Sequence, residues 1–217
     1  MTAETATAFS SITEIVATPE QLHAIVGEPS ELAKAKDIGR LDEHCRAFIA
    51  HSPFALLGTA SAAGFCDVSP RGDVPGFARV LDEHTLALPE RPGNRRTDSL
   101  GNIIENPQVG LLFFVPGVEE TLRVNGRACI TTQANLRATM AVGGKAPRLA
   151  IVVEVREAFL HCAKAFRRSR LWDASRHLPR ETLPSLGRIL RDQLGVEDCS
   201  VEELDARLET GYRTTLY

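Results

Sequence analysis

The spacing of hydrophobic residues changes several times along the chain, and each change marks an element. Met1–Thr18 is small, polar and weakly patterned, which predicts a flexible tail. Over Pro19–Ile49, Leu32, Ala35, Ile38, Leu41, Cys45, Phe48 and Ile49 recur at helical spacing behind Ser30, a candidate N-cap. This predicts one or two helices covering an end or edge of the core. Phe54–Ala60 then reads as a strand. The following Ser61–Gly76 carries Gly64, Pro70, Gly72, Pro75 and Gly76 and reads as a loop. Phe77–Leu81 and His84–Leu88 predict two strands joined tightly through Asp82 and Glu83.

Thr97 or Asp98 can cap a helix containing Leu100, Ile103 and Ile104, which Pro107 stops. Val109–Val115 is almost continuously apolar and predicts a central strand buried on both sides. Thr121–Thr131 gives the strongest period-two signal. Leu122, Val124, Ala128 and Ile130 share one face, while Thr121, Arg123, Asn125, Arg127 and Thr131 share the other. Gln133–Val142 predicts a short helix ended by Gly143 and Gly144, and Leu149–Phe159 a further strand. Thr182–Leu194 predicts a helix stopped by Gly195, and Ser200 with Glu203 forms a capping-box pattern for the next.

At least six short, mostly sequential strands without repeated crossover helices predict a mainly β fold, an antiparallel barrel with accessory helices. The expected division is residues 1–52 as tail and covering helices and 53–160 as the barrel core. Residues 161–217 form a basic segment and helices packed on the same domain.

A formal net charge of -3 over 217 residues argues against a general nucleic-acid binder, so any anion site must be local. No run approaches the roughly 18 apolar residues of a membrane span, and no secretory signal is visible, so a cytoplasmic protein is expected. Cys45, Cys66, Cys129, Cys162 and Cys199 are dispersed, odd in number and without a CxxC pair. They are expected as reduced thiols in or near the core, and no metal site is expected.

Candidate chemistry concentrates in Pro89–Val118, where a turn rich in Pro, Gly, Asn and Arg runs into a helix and then an apolar strand. Asn94, Arg95, Arg96 and Ser99 stand at the helix entrance, where free backbone N–H groups and the helix dipole favour an anion. Strict alternation through Phe77–Leu81 would set Arg79 between Phe77 and Leu81, half-buried and in need of an anionic partner such as a nearby acid or a phosphate. Farther along, Lys164, Arg170 and Trp172 combine charge with a stacking surface. Common signatures for nucleotide hydrolysis, dinucleotide domains, zinc proteases and esterases are missing, and no catalytic residue is assigned.

Five segments together resemble the pyridoxamine 5'-phosphate oxidase-like, FMN-binding split-barrel family: Asp67–Asp73 (DVSPRGD), Arg91–Phe113, Glu120–Ala128 (ETLRVNGRA), Gly144–Ala150 (GKAPRLA) and His161–Trp172. The resemblance spans roughly Pro53–Leu194. It implies a split β-barrel homodimer holding FMN in a groove between subunits, with a small-molecule substrate and no nucleic acid or membrane partner. It also implies that Arg79 and the Asn94–Ser99 segment hold the phosphate, with Arg96 foremost, and that Pro89, Glu90 and Arg91 approach the flavin ring. Lys164, Arg170 and Trp172 would complete the site, the first two from the partner subunit. The implied function is an FMN-dependent oxidoreductase. A deazaflavin-dependent reductase and a non-catalytic flavin-binding or stress-related protein are the alternatives on the same scaffold.

Overall fold

A computed structural model describes residues 8–217, which fall into two units, one ending at Lys36 and the other running Asp37–Tyr217. The predicted tail therefore lies partly outside the described residues. Within the first unit, helix α1 (Pro19–Val26) starts where Thr18 accepts from the Gln21 N–H, and α2 (Glu31–Ala35) starts where Ser30 accepts from the Ala33 N–H. Neither helix buries a side chain.

The larger unit is built on one seven-stranded sheet, with every pairing antiparallel. Its strands are β1 (Phe54–Ala60), β2 (Cys66–Gly72), β3 (Arg79–Asp82), β4 (Thr85–Glu90), β5 (Gln108–Phe114), β6 (Thr121–Thr131) and β7 (Leu149–His161). They run in the order β2-β1-β5-β6-β7-β4-β3. Helices α3 (Glu43–His51), α4 (Asp98–Glu105), α5 (Ala134–Ala138), α6 (Lys164–Ser169), α7 (Leu186–Leu194) and α8 (Val201–Thr214) complete it.

This corrects the expected fold. Strands β2 and β3 are free edges, so the sheet is open and does not close into a split barrel. More described residues are helical than extended, making the fold mixed α/β. The strand signals are individually sound, but edge pairing depends on tertiary geometry that no local period encodes.

One face of the sheet carries the core. Ala55, Leu57, Leu86, Leu88, Val109, Leu111, Phe113, Leu122, Val124, Ile151 and Val153 pack there with Leu41, Cys45 and Ile49 from the α3 region and Leu100 and Ile103 from α4. Ala87, Ala150 and Met140 form a smaller cluster with Leu136 of α5. Burial holds the Cys45 thiol at about 11, with Asp42 adding to the rise. Cys199 is also buried, whereas Cys66, Cys129 and Cys162 are exposed and depart from the expectation of core thiols.

Three local readings also change. The segment expected as loop contains β2, whose Pro70 is tolerated because β2 is an edge and needs no second row of donors. Strand β5 alternates, burying Val109, Leu111 and Phe113 while Leu112 and Phe114 stay partly exposed; it is not buried on both sides. Strand β3 begins only at Arg79, which is exposed, while Phe77 and Ala78 before it are both buried. The strict alternation that put Arg79 among apolar neighbours fails because the chain is not yet extended there.

Strand β6 keeps its predicted faces, and the irregularity falls on β7, where Arg156 has no partner across the Asn125–Gly126 step. A Cβ on Gly126 would drive into the Glu154 carbonyl and stand 2.9 Å from its carbon, so the two backbones meet only because this residue is glycine. The capping box at Ser200 and Glu203 forms on α8, and Gly195 ends α7 in the left-handed conformation.

Candidate functional site

The turn after β4 enters α4 through two non-glycine residues in the left-handed region, Arg95 (φ 62°) and Thr97 (φ 58°). Such backbone costs on the order of 1–3 kcal/mol per residue and persists only where surroundings hold it. Thr97 is the N-cap, yet its side chain makes no capping bond, so the first N–H groups of α4 have no local side-chain acceptor. Asn94 Oδ1 accepts from the Arg96 N–H at 3.1 Å. Arg96 pairs with Asp98 at 2.8 Å, and Arg95 has no ion-pair partner among the described residues. Two consecutive arginines and a helix start without a side-chain cap thus share one short turn, residue types suited to a phosphate.

A polar network ties this turn to β2. The alternation of β2 sends Asp67, Ser69 and Arg71 to the core side, opposite Val68 and Pro70. Arg71 pairs with Glu90 at the end of β4, although four strands lie between β2 and β4 in the sheet order, so the sheet is curled without backbone closure. Arg71 also donates to Ser69 Oγ at 3.2 and 3.3 Å. Ser69 meets Ser99 at 2.9 Å, and Ser99 donates to Asp67 at 2.9 Å. Thr59 donates to the other Asp67 oxygen and accepts from Asn102 Nδ2 at 3.0 Å. Ser99 and Thr59 are buried.

A second knot lies beside it. Arg91 donates to Asp73 at 2.6 Å and to the Met140 carbonyl at 2.8 Å. The Tyr217 hydroxyl donates to Asp73 at 2.7 Å, and the Arg91 guanidinium lies 5.4 Å from the Tyr217 ring centre. The Asp73 side chain is 1% exposed. Burial by itself would raise its carboxyl, but the Tyr217 hydroxyl, the Val74 N–H and Arg91 outweigh it and hold the group below the usual carboxylate range. The Asp73 carboxylate in turn pushes the Tyr217 hydroxyl up.

The expected residues therefore separate. Pro89, Glu90, Arg91, Asn94, Arg95, Arg96 and Ser99 form one continuous region around the β4–α4 turn. Arg79 pairs with Ala87 across the β3–β4 hairpin, on the exposed edge near the start of that region. Lys164, Arg170 and Trp172 sit elsewhere. Trp172 donates to the Val118 carbonyl at 2.9 Å and lies 5.5 Å from Phe166, and Arg170 pairs with Asp173 at 2.6 Å. Arg170 and Trp172, but not Lys164, line a depression of about 530 Å³ beside Gly117 and Glu119, in the β5–β6 loop at the far end of β5 from α4. Asp67, Ser69, Arg71 and Asp73 are not among the expected site residues. Their signal was a polar residue at every second position of DVSPRGD, obscured by the proline and glycines that made the segment read as loop.

A family model described as pyridoxamine 5'-phosphate oxidase matches residues 41–162, more than half of the chain. No curated protein sequence matches at a significant level. Among solved structures, the chain is similar to HupZ of Group A Streptococcus (21% identity, 55% of this chain and 92% of that one, TM-score 0.44). It is also similar to an FMN-binding protein of Syntrophomonas wolfei (11% identity, 54% and 83%, TM-score 0.42). A third similarity is to HutZ, the heme storage protein of Vibrio cholerae (16% identity, 56% and 94%, TM-score 0.41). These likenesses are too distant to add to the family match. On that match, which covers the whole sheet and the β4–α4 turn, the chain belongs to the pyridoxamine 5'-phosphate oxidase family.

Proposed function

We propose that this chain binds FMN and works as an FMN-dependent oxidoreductase on a small molecule, as a homodimer with the flavin between subunits. The observation that carries the reading is the β4–α4 turn, where Arg95, Arg96 and the uncapped start of α4 converge in a chain of this family. Asn94–Ser99 would hold the phosphate, and Pro89–Arg91 would run beside the ring. When bound, FMN supplies the redox chemistry, and the chain binds and orients it and shields it from water. On the face of the sheet away from the core, Phe54 and Val68 remain exposed, with Leu56, Leu112 and Phe114 half-buried, so an apolar surface is available to a second copy. In the dimer, Lys164, Arg170 and Trp172 of one protomer would approach the turn of the other.

Reconstitution with excess FMN followed by desalting tests the reading. Retained flavin absorbance, a raised melting temperature, and bleaching of the flavin band by NADH or NADPH are expected. Loss of all flavin on desalting, with melting unchanged, contradicts FMN binding. Retention without bleaching by either nicotinamide and without oxidation of small substrates in air contradicts the oxidoreductase assignment and leaves a flavin-binding protein. Preferential retention of a deazaflavin contradicts the choice of FMN.

A further inference from the structure

The network between β2 and α4 has only one self-consistent set of proton directions. As a carboxylate, Asp67 only accepts, so Thr59 and Ser99 must each spend their single hydroxyl proton on it. Ser99 Oγ can then only accept from Ser69, which fixes the direction of the 2.9 Å contact between the two serines. Ser69 in turn accepts from Arg71 Nε and Nη2, and Thr59 accepts from Asn102. The chain of donors runs from the Arg71 guanidinium through two hydroxyls to Asp67, with a second arm arriving from Asn102. No hydroxyl proton is left over.

Ser99 is the second residue of α4, and the turn before it contains two left-handed non-glycine residues and no side-chain cap. The bonds of Ser99 to Asp67 and Ser69 are therefore the side-chain tethers that hold the start of α4 against β2, and Asp67 is the acceptor on which both depend. We infer that Asp67 is a positioning residue of the phosphate site, and that Ser99 serves that site through its backbone N–H while its hydroxyl is committed to Asp67. The inference rests on the FMN reading above. It replaces a direct contact from the Ser99 hydroxyl to phosphate with an indirect role shared by Asp67, Ser69 and Arg71.

The test compares dissociation constants for FMN and riboflavin, which differ only by the phosphate, in the wild type, Asp67→Asn, Ser99→Ala and the double variant. D67N and S99A should each weaken FMN by on the order of tenfold while changing riboflavin by less than about twofold, and the double variant should be no weaker than D67N alone. Multiplying losses in the double variant would overturn the inference, because they place the Ser99 hydroxyl on the phosphate independently of Asp67. An unchanged FMN-to-riboflavin ratio in D67N would overturn it as well. Should D67N fail to fold, S69A takes its place in the same cycle with S99A, and non-additivity is again the expected result. Hydrogen exchange at the Gly101 amide, which bonds to the Thr97 carbonyl at 2.9 Å, is read without flavin in every variant. Faster exchange in D67N supports the tether even if the wild type binds neither flavin, a result that would refute only the FMN reading. Unchanged exchange would refute the tether itself.

Discussion

Tyr217→Phe removes one donor from the Asp73 knot while keeping the ring over Arg91. The lost bond is a 2.7 Å hydrogen bond to a carboxylate that is 1% exposed. Hydrogen bonds to charged groups contribute about 1.5–3 kcal/mol, and because Tyr217 itself is 36% exposed, water can partly replace its hydroxyl. The lower end, about 1.5 kcal/mol, is the expected cost, equivalent to a melting temperature lower by about 3–6 °C for a chain of this size. The stacking between Arg91 and the ring survives, so the loss isolates the hydroxyl.

The pH dependence supplies an independent check. Asp73 is held below its ordinary value, so its stabilising contribution is present above about pH 4 and is lost as pH falls through its depressed folded value. Tyr217 is held above its ordinary value, so its contribution is present below about pH 10 and is lost as pH rises through its raised folded value. Urea denaturation from pH 3 to 11 should show both limbs in the wild type. Y217F should lack this group's alkaline loss and weaken the acid limb. An unchanged midpoint at pH 7 together with an unaltered alkaline limb would refute the knot.

Gly126→Ala should destabilise by about 3 kcal/mol, the upper part of the overpacking range, because the obstacle is the Glu154 backbone and not a movable side chain. Gly101→Ala, in α4 with open space around the added Cβ, should instead stabilise by about 0.5–1 kcal/mol; urea midpoints distinguish the signs, and a neutral G126A would contradict the close approach. Alkylation of the native protein at pH 8 should modify Cys66, Cys129 and Cys162 while sparing Cys45, whose thiol is buried and raised to about 11. Rapid labelling of Cys45 in the folded protein, read by peptide mass mapping, would contradict that burial.

Much of the local structure is legible in the sequence because its causes are local. The faces of β6 follow from eleven residues of alternation, α7 from leucine spacing with a terminal glycine, and α8 from the reciprocal bonds of Ser200 and Glu203. What fails depends on partners far along the chain. Strand β2 is extended despite Pro70 because it is an edge, and its edge position is decided by pairing with β1 and by nothing on its other side. Openness of the sheet is a property of β2 and β3 together, which no window of sequence contains. The β4–α4 turn stands out through its glycine, arginines and helix start, whereas the residues that brace it do not. Asp67, Ser69 and Arg71 acquire meaning only when the curled sheet brings β2 against Ser99 and Glu90. Lys164, Arg170 and Trp172 are recognisable as a basic aromatic cluster, but the place of Arg170 and Trp172 beside the β5–β6 loop depends on contacts with Phe166, Val118 and Asp173.

The central claim, that the turn between β4 and α4 cradles the phosphate of FMN, is tested most directly by titrating the wild type and the Arg95→Ala/Arg96→Ala double variant with FMN and riboflavin. The wild type should bind FMN at least about tenfold more tightly than riboflavin, since one charge-assisted phosphate contact contributes about 1.5–3 kcal/mol. The double variant should lose that preference while keeping its affinity for riboflavin. Equal affinity of the wild type for the two flavins, or a preference for FMN that survives loss of both arginines, would contradict the account.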